Sequence, residues 1–390
     1  MVNESSRVYL DHASTTPVST TVLDVMLPYF ADYGYNPSGL YEESQTSRRA
    51  LEEARGKVAA VFNCSTDEIV FTGSGSEGAN LAIKGAAMVQ RQIGRNVVAV
   101  SAIEHHCVLH AAEYLQAQHG FQMRVIPVDR YGVVDLDFLE SIVDDSLAVV
   151  SVQYANNEVG TVQPIAEIGR LLDDTGAVFH SDAVQAAGAL SLDVYELGVD
   201  LLSIAAHKFY GPKGVGALYV REGSRIVPQI QGGSQERNRR AGTENVALIV
   251  GLAAALTEAH ANREAENRRN GELSTRIRAG LAAIDGVYLN GHPEKRLPNN
   301  TNVCVEGINA ESLILQLDRA GIAASSGSAC TSASLEPSHV LLAMGVPPDL
   351  ARGSLRISVG RANDESQIDF SLAALAPIIS KLRRKTAVVG

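Results

Sequence analysis

Between residues 69 and 220, short β-rich runs take turns with helical ones, and this alternation narrows the possible folds more than any other feature of the chain. Residues 69–71, 97–101, 123–128, 148–152, 178–179, 201–204 and 217–220 are apolar or β-branched stretches, the pattern of strands covered on both faces. Residues 80–90 and 165–172 repeat apolar side chains at helical spacing. Strand and helix in succession build a mainly parallel sheet under right-handed crossovers, so the fold class is α/β. Upstream, Leu51, Ala54, Val58, Val61 and Phe62 mark an amphipathic helix leading into the first of these strands. After Gly242 the texture changes to a long helix rich in Ala and charge, from Val246 to about Ile284, then separated strands near 287–289, 302–305 and 355–359. This reads as a smaller α+β domain, and 390 residues suffice for two such bodies. The expected division is an N-terminal segment 1–20 packed with the small domain, a large α/β domain 21–254, and a small α+β domain 255–390.

Composition excludes several classes of partner. With 44 acidic and 33 basic side chains the formal charge is −11, which repels phosphate backbones and anionic lipid, so neither nucleic acid nor a membrane surface is expected. The longest apolar run, 246–256, is short of the roughly 18–20 residues that cross a bilayer. Residues 1–7 are polar and lead into Val8-Tyr9-Leu10-Asp11 without the marks of an export signal, so a cytoplasmic location is expected. The four cysteines, Cys64, Cys107, Cys304 and Cys330, form no CxxC pair, which argues against a disulfide scaffold or a zinc ribbon.

Several constellations carry chemistry. Gly73-Ser74-Gly75-Ser76-Glu77-Gly78 joins a strand to a helix and matches the dinucleotide fingerprint GxGxxG. Its physics is broader: small residues let a phosphate reach backbone N–H groups at a helix N-terminus, and a tight turn that binds nothing is the alternative. Asp182, in His180-Ser181-Asp182, is placed to meet a cationic ligand nitrogen or to cap a helix. Lys208, one of seven lysines, ends an apolar run inside a glycine-rich turn. Desolvation makes such an amine nucleophilic, and lysine alone among side chains forms an imine with a carbonyl cofactor; a surface lysine at a strand end is the bland alternative. Glu104-His105-His106-Cys107-Val108-Leu109-His110 offers imidazoles for acid–base work, for stacking on a planar ligand, or for a metal, although the carboxylate of HExxH is missing. Arg356 lies on the polar side of an alternating strand and suits capture of a carboxylate, or is simply solvated. Cys330 stands in 324–334, where every other residue is Ala, Ser, Gly or Thr, a composition that predicts a mobile loop over about 324–336. Cys64, Cys107 and Cys304 read as small apolar filler.

From Tyr9-Leu10-Asp11-His12-Ala13-Ser14-Thr15-Thr16-Pro17 to about Arg361, the chain resembles the NifS and IscS type of cysteine desulfurase, which is class V aminotransferase-like and belongs to the fold-type I pyridoxal phosphate enzymes. The most specific stretches are Asn156-Asn157-Glu158-Val159-Gly160, His207-Lys208, Gly232-Gly233-Ser234-Gln235-Glu236-Arg237, Arg240-Ala241-Gly242-Thr243-Glu244-Asn245 and Ser326-Gly327-Ser328-Ala329-Cys330. The resemblance implies that Lys208 holds pyridoxal 5'-phosphate and shuttles a proton. Asp182 would pair with the pyridine nitrogen, Gln185 bond the ring oxygen, His105 stack on the ring, and Asn157 orient cofactor and substrate. Gly75, Ser76 and His207 would hold the phosphate, with Thr243 reaching it from the second subunit of a homodimer. Arg356 would clamp the carboxylate of L-cysteine, and Cys330 would take its sulfur as a persulfide, leaving alanine and supplying an acceptor such as an iron–sulfur scaffold. A selenocysteine lyase or an aminotransferase of the same family is the nearest alternative, and an NAD-dependent oxidoreductase a remote one. The chain departs from the family pattern at Ala205, where a Ser or Thr is usual, at Tyr41 in Asn36-Pro37-Ser38-Gly39-Leu40-Tyr41, and at Gly75-Ser76, where Ala-Thr is usual.

Overall fold

The computed structural model describes residues 7–327 and 336–389. Among them are the strands β1 (Val8–Tyr9), β2 (Ile69–Thr72), β3 (Val97–Ser101), β4 (Gln122–Ile126), β5 (Leu147–Ser151), β6 (Val178–Asp182), β7 (Leu201–Ala205), β8 (Gly216–Val220), β9 (Val287–Asn290), β10 (Asn300–Val305), β11 (Ile322–Ala323) and β12 (Ser354–Ser358). Seven of them form the main sheet, in the order β2-β8-β7-β6-β5-β3-β4. Only β8 is reversed, antiparallel to both of its neighbours, so the other six send their carboxyl ends to one edge.

The pleat explains why the inner strands are largely apolar. In β3, Val97 and Ala99 pack into the cluster containing Phe62, Phe71 and Leu252, while Val98 and Val100 pack into the one containing Leu81, Val108 and Leu115. The first face is covered by the helices α1 (Thr20–Met26) and α2 (Glu42–Phe62) and by the start of the long helix Val246–Ala282. The second is covered by α3 (Gly75–Arg91) and α4 (His106–His119).

A three-stranded antiparallel sheet, β12-β10-β9, builds a further layer with its own cluster, which includes Leu273, Val303, Leu313, Leu355 and Ile368. The N-terminal strand joins it: β1 pairs in parallel with β11, and Ser358 N–H donates to Leu10 O at 2.8 Å. Val8 and Leu10 enter the same cluster. The polar run 180–182, read from the sequence as lying beyond its strand, is instead the second half of β6.

Two polar features are built into this apolar frame. His180 is fully buried between Ser151 Oγ (2.9 Å from Nδ1) and Ser203 Oγ (3.1 Å from Nε2), linking β5, β6 and β7. Burial pushes its pKa down to about 3. The second feature lies after β8, where Glu236, Arg237 and Asn238 adopt φ of 45°, 55° and 63°, three consecutive left-handed residues that L side chains enter only at a cost. Glu236 is held there by Arg55, whose Nη1 and Nη2 reach its carboxylate at 2.8 and 3.0 Å, and by Phe71 N–H at 2.9 Å.

Both features yield predictions. Glu236→Ala leaves the buried Arg55 charge with only the half-exposed Glu52 carboxylate at 3.4 Å and the left-handed turn unanchored, so denaturant unfolding is expected to show a loss of about 3 kcal/mol. For His180, the folded state binds fewer protons than the unfolded one between about pH 3 and the ordinary imidazole value of 6.5. Stability contributed by its neutral form is therefore complete above that window and lost as pH falls through it; His180→Gln is expected to flatten the fall by up to one proton in unfolding measured against pH.

Candidate active site

The order of strands reverses between β3 and β5, since β3 leads outward to β4 while β5, β6 and β7 continue the other way. Ligands in open α/β sheets bind in the crevice beyond the carboxyl ends at such a point. Here that crevice is a cavity of about 340 Å³, within the range of small-molecule sites. Five carboxyl-end loops line it: Gly75 and Ser76 follow β2, His105 follows β3, Asn157 follows β5, Asp182 and Gln185 come from the end of β6, and His207 and Lys208 follow β7. Ala13 and Ser14 close it from the N-terminal segment, and Gly327 and Arg356 from the smaller layer. Residues that the sequence scatters over more than 280 positions thus meet at one edge because parallel strands all end there.

Lys208 ends the short turn Ala206–Lys208, and its Nζ donates to Ala13 O at 2.7 Å and Ser14 O at 2.8 Å. Gln185 Nε2 also donates to Ala13 O, at 2.9 Å. Asp182 is buried; burial raises its pKa to about 6, against the Val184 N–H (2.8 Å) and the Lys208 charge, which favour the carboxylate. His207 Nδ1 lies 3.1 Å from Thr15 Oγ1, and burial with the Lys208 and Lys213 charges lowers its pKa to about 4. His105 caps α4, its Nδ1 accepting from Cys107 N–H. Its pKa is also lowered to about 4, first by burial and then by Lys208 and three neighbouring imidazoles.

The N-terminus of α3 supplies the anion-binding end of a helix dipole. Ser74 caps it by accepting from Glu77 N–H, and Gly75 lets it approach the sheet: a Cβ there would lie 2.8 Å from Val184 Cγ2 and 3.2 Å from Ala205 Cβ. Ala205 lines the cavity without a hydroxyl, and the hydroxyl of Ser203 is engaged by His180.

For Arg356 the solvated alternative does not hold. The polar side of β12 is not solvated; it is buried against the N-terminal segment, and Arg356 is 2% exposed. Its Nη2 donates to Asp11 Oδ1 (2.8 Å) and Ser14 Oγ (2.6 Å), and its Nη1 to Asn157 O (2.8 Å). Nε is buried and has no hydrogen-bond partner among the described residues. Thr243 is exposed and does not line this cavity. Cys330 lies outside the described residues, as does most of the small-residue loop.

Sequence reasoning missed three participants. Asp11 partners Arg356, Ser14 touches both cations, and Cys107, which packs against the second cluster as expected, also lines the cavity with Sγ 3.0 Å from His105 Nδ1. The position of Cys107, two residues after a histidine at a strand-to-helix junction, was the available signal. Cys64 and Cys304 do pack as apolar residues. Among the described residues, no group of three or more His, Cys, Asp or Glu side chains is arranged to hold a metal ion, and no helix is long and apolar enough to cross a membrane.

Comparisons with known proteins agree with this architecture. Residues 8–370 match the aminotransferase class-V family. The cysteine desulfurase IscS of Methanosarcina thermophila is 48% identical over 380 residues, covering 97% of this chain and 94% of the relative. A solved NifS-like protein superimposes with a TM-score of 0.91 at 36% identity, over 97% of this chain and 100% of that one. The structure described as SspA in complex with cysteine gives a TM-score of 0.79 at 34% identity, over 91% of this chain and 99% of that one. The oxidoreductase alternative suggested by the glycine fingerprint is thereby set aside, and the crevice at the reversal point is that of a chain belonging to the class-V aminotransferase family.

Proposed function

We propose that this protein is a pyridoxal 5'-phosphate-dependent cysteine desulfurase that converts L-cysteine to L-alanine and passes the sulfur to Cys330 as a persulfide. The carrying observation is that one cavity holds the amine of Lys208, the buried carboxyl of Asp182, the N-terminus of α3 and the Arg356 guanidinium. This donor set fits the cofactor: a helix terminus with Ser76 and His207 for the phosphate, Asp182 for the ring nitrogen, Gln185 for the ring oxygen and His105 for the ring face. The missing hydroxyl at Ala205 removes one contact from the phosphate end.

When bound, pyridoxal phosphate supplies an electron sink for the charge left on the substrate carbon after its α-proton departs. Lys208 anchors the cofactor and carries that proton on Nζ. Asn157 orients the substrate, and Arg356, with Nε unpartnered, receives its carboxylate. Asp182 acts as the anion, and the cation beside it favours that form. Cys330 attacks the substrate sulfur as a thiolate: the C–S bond breaks, an S–S bond forms, and the carbon is reprotonated to alanine. One thiol and one cysteine become one persulfide and one alanine, with no external oxidant or reductant. Gly327 lines the cavity three residues before Cys330, a tether of at most about 11 Å. The relative named SspA was solved in complex with cysteine, which supports the substrate assignment.

The same reading makes the protein a cytoplasmic homodimer. Leu27, Phe30, Leu40 and Tyr41, at or between α1 and α2, are exposed apolar surface for a second copy. Thr243, exposed on its own subunit, serves the second copy's phosphate site. A sulfur-acceptor protein, such as an iron–sulfur scaffold, takes the persulfide, and the boundary between the large and small domains falls near residue 255, with the segment 1–20 on the small side, as the entry of Val8 and Leu10 into the third cluster supports.

Cys330→Ser, with cofactor still bound, is expected to lower alanine and sulfide formation from L-cysteine by about 100-fold or more, and mass spectrometry of the wild type to find one added sulfur on the Cys330 peptide. Undiminished turnover in that variant would contradict the assignment. A second expectation concerns Asp182. As pH falls through about 6 its carboxylate is protonated and the ion pair to the ring nitrogen is lost, so cofactor affinity weakens below that point. Cofactor dissociation followed against pH should show this step in the wild type and not in Asp182→Asn.

A further inference from the structure

The N-termini of α3 and α4 meet beside the cavity, and Cys107 stands at the junction. Its backbone N–H donates to His105 Nδ1 at 3.1 Å, which makes that nitrogen an acceptor, because a hydrogen on it would point at the amide hydrogen. Cys107 Sγ is 3.0 Å from the same Nδ1. With no hydrogen on nitrogen, the hydrogen in this short contact belongs to sulfur. Asn80 Nδ2 ties the two helix starts together through the carbonyls of Ser76 (2.9 Å) and Cys107 (3.4 Å).

We infer that Cys107 is a positioning residue for this site: its thiol, donating to His105 Nδ1, keeps the cavity imidazole neutral with its proton on Nε2. The surrounding charges are consistent with both halves of this arrangement. Burial pushes the Cys107 thiol well above its ordinary range, and the Asp182 and Glu104 carboxyls add to the effect, so the S–H donor persists. His105 faces Lys208 from the turn after β7, His106 and His110 on its own helix, and His339 on the helix His339–Ala343, all of which oppose a second positive charge.

The catalytic meaning rests on the desulfurase reading. An imidazole fixed in this tautomer donates from Nε2 and has no free nitrogen with which to accept a proton. His105 therefore does not compete with Lys208 for the proton of the substrate carbon, and the cavity retains a single base. Cys107, held as a neutral thiol, is likewise no rival to Cys330 for sulfur.

The test uses full-length holoprotein labelled with ¹⁵N-histidine, the His105 resonances being assigned by their loss in His105→Gln. In the wild type they are expected to keep the neutral, Nε2-protonated pattern from about pH 8 to about pH 5.5. Cys107→Ala removes the donor to the neutral form and is expected to raise the His105 midpoint by roughly half a pH unit or more. Cys107→Ser, which restores an O–H donor, should bring it back. Unaltered resonances in Cys107→Ala, an Nδ1-protonated wild type, or an added sulfur on Cys107 after L-cysteine treatment would each overturn the inference, as would lost turnover without movement of the resonances. A wild type that makes no alanine would sink the desulfurase reading alone, since the resonances still decide the role of Cys107.

Discussion

Burying an amine and a carboxyl in one small cavity is costly unless each offsets the other and both find hydrogen bonds, and the construction of the site answers that requirement. Asp182 is drawn back toward its anionic form by Lys208 and by the Val184 N–H. Lys208 is held by two carbonyls of the N-terminal segment, which is itself strand-paired to the smaller layer. The site therefore requires both layers of the molecule: the main sheet supplies the charges, and the N-terminal segment, paired to the smaller layer, supplies the carbonyls that hold the amine.

Neutral imidazoles complete the balance. His105, His180 and His207 are all driven well below the ordinary histidine range by burial, and Lys208 adds to the effect on the two that line the cavity. A histidine that stays neutral beside a lysine provides a polar surface without adding positive charge. The cations in the cavity are consequently the amine and the guanidinium of Arg356, and the electrostatic field there is set by these two, the Asp182 carboxyl and two helix termini.

Much of this was legible in the residues themselves. The main strands could be read because a strand covered on both faces has to be apolar along its length, and β3 and β5 show this without interruption. Lys208 and Asp182 stood out because charge at the end of such a run needs a reason. What stayed hidden was contact across long separations. Nothing local to Arg356 announces Asp11, 345 positions away, and an alternating strand whose polar side is buried looks the same in sequence as one facing water. The reversal of β8 is likewise a matter of connection: the stretch between Lys208 and Gly216 is too short for a helical crossover, so the chain can only turn back. Cys107 was read only in part: it packs as apolar filler does, and its contact with an imidazole nitrogen shows only once the fold is known.

Ser14 gives its carbonyl to Lys208 and its hydroxyl to Arg356, so one residue screens two cations from each other where water would otherwise have to. A peptide group in that place is an oriented dipole that neither exchanges nor tumbles. The local permittivity between the two charges is thus written into the first strand's continuation, and displacing residues 11–14 by even a fraction of an ångström would retune amine and guanidinium together.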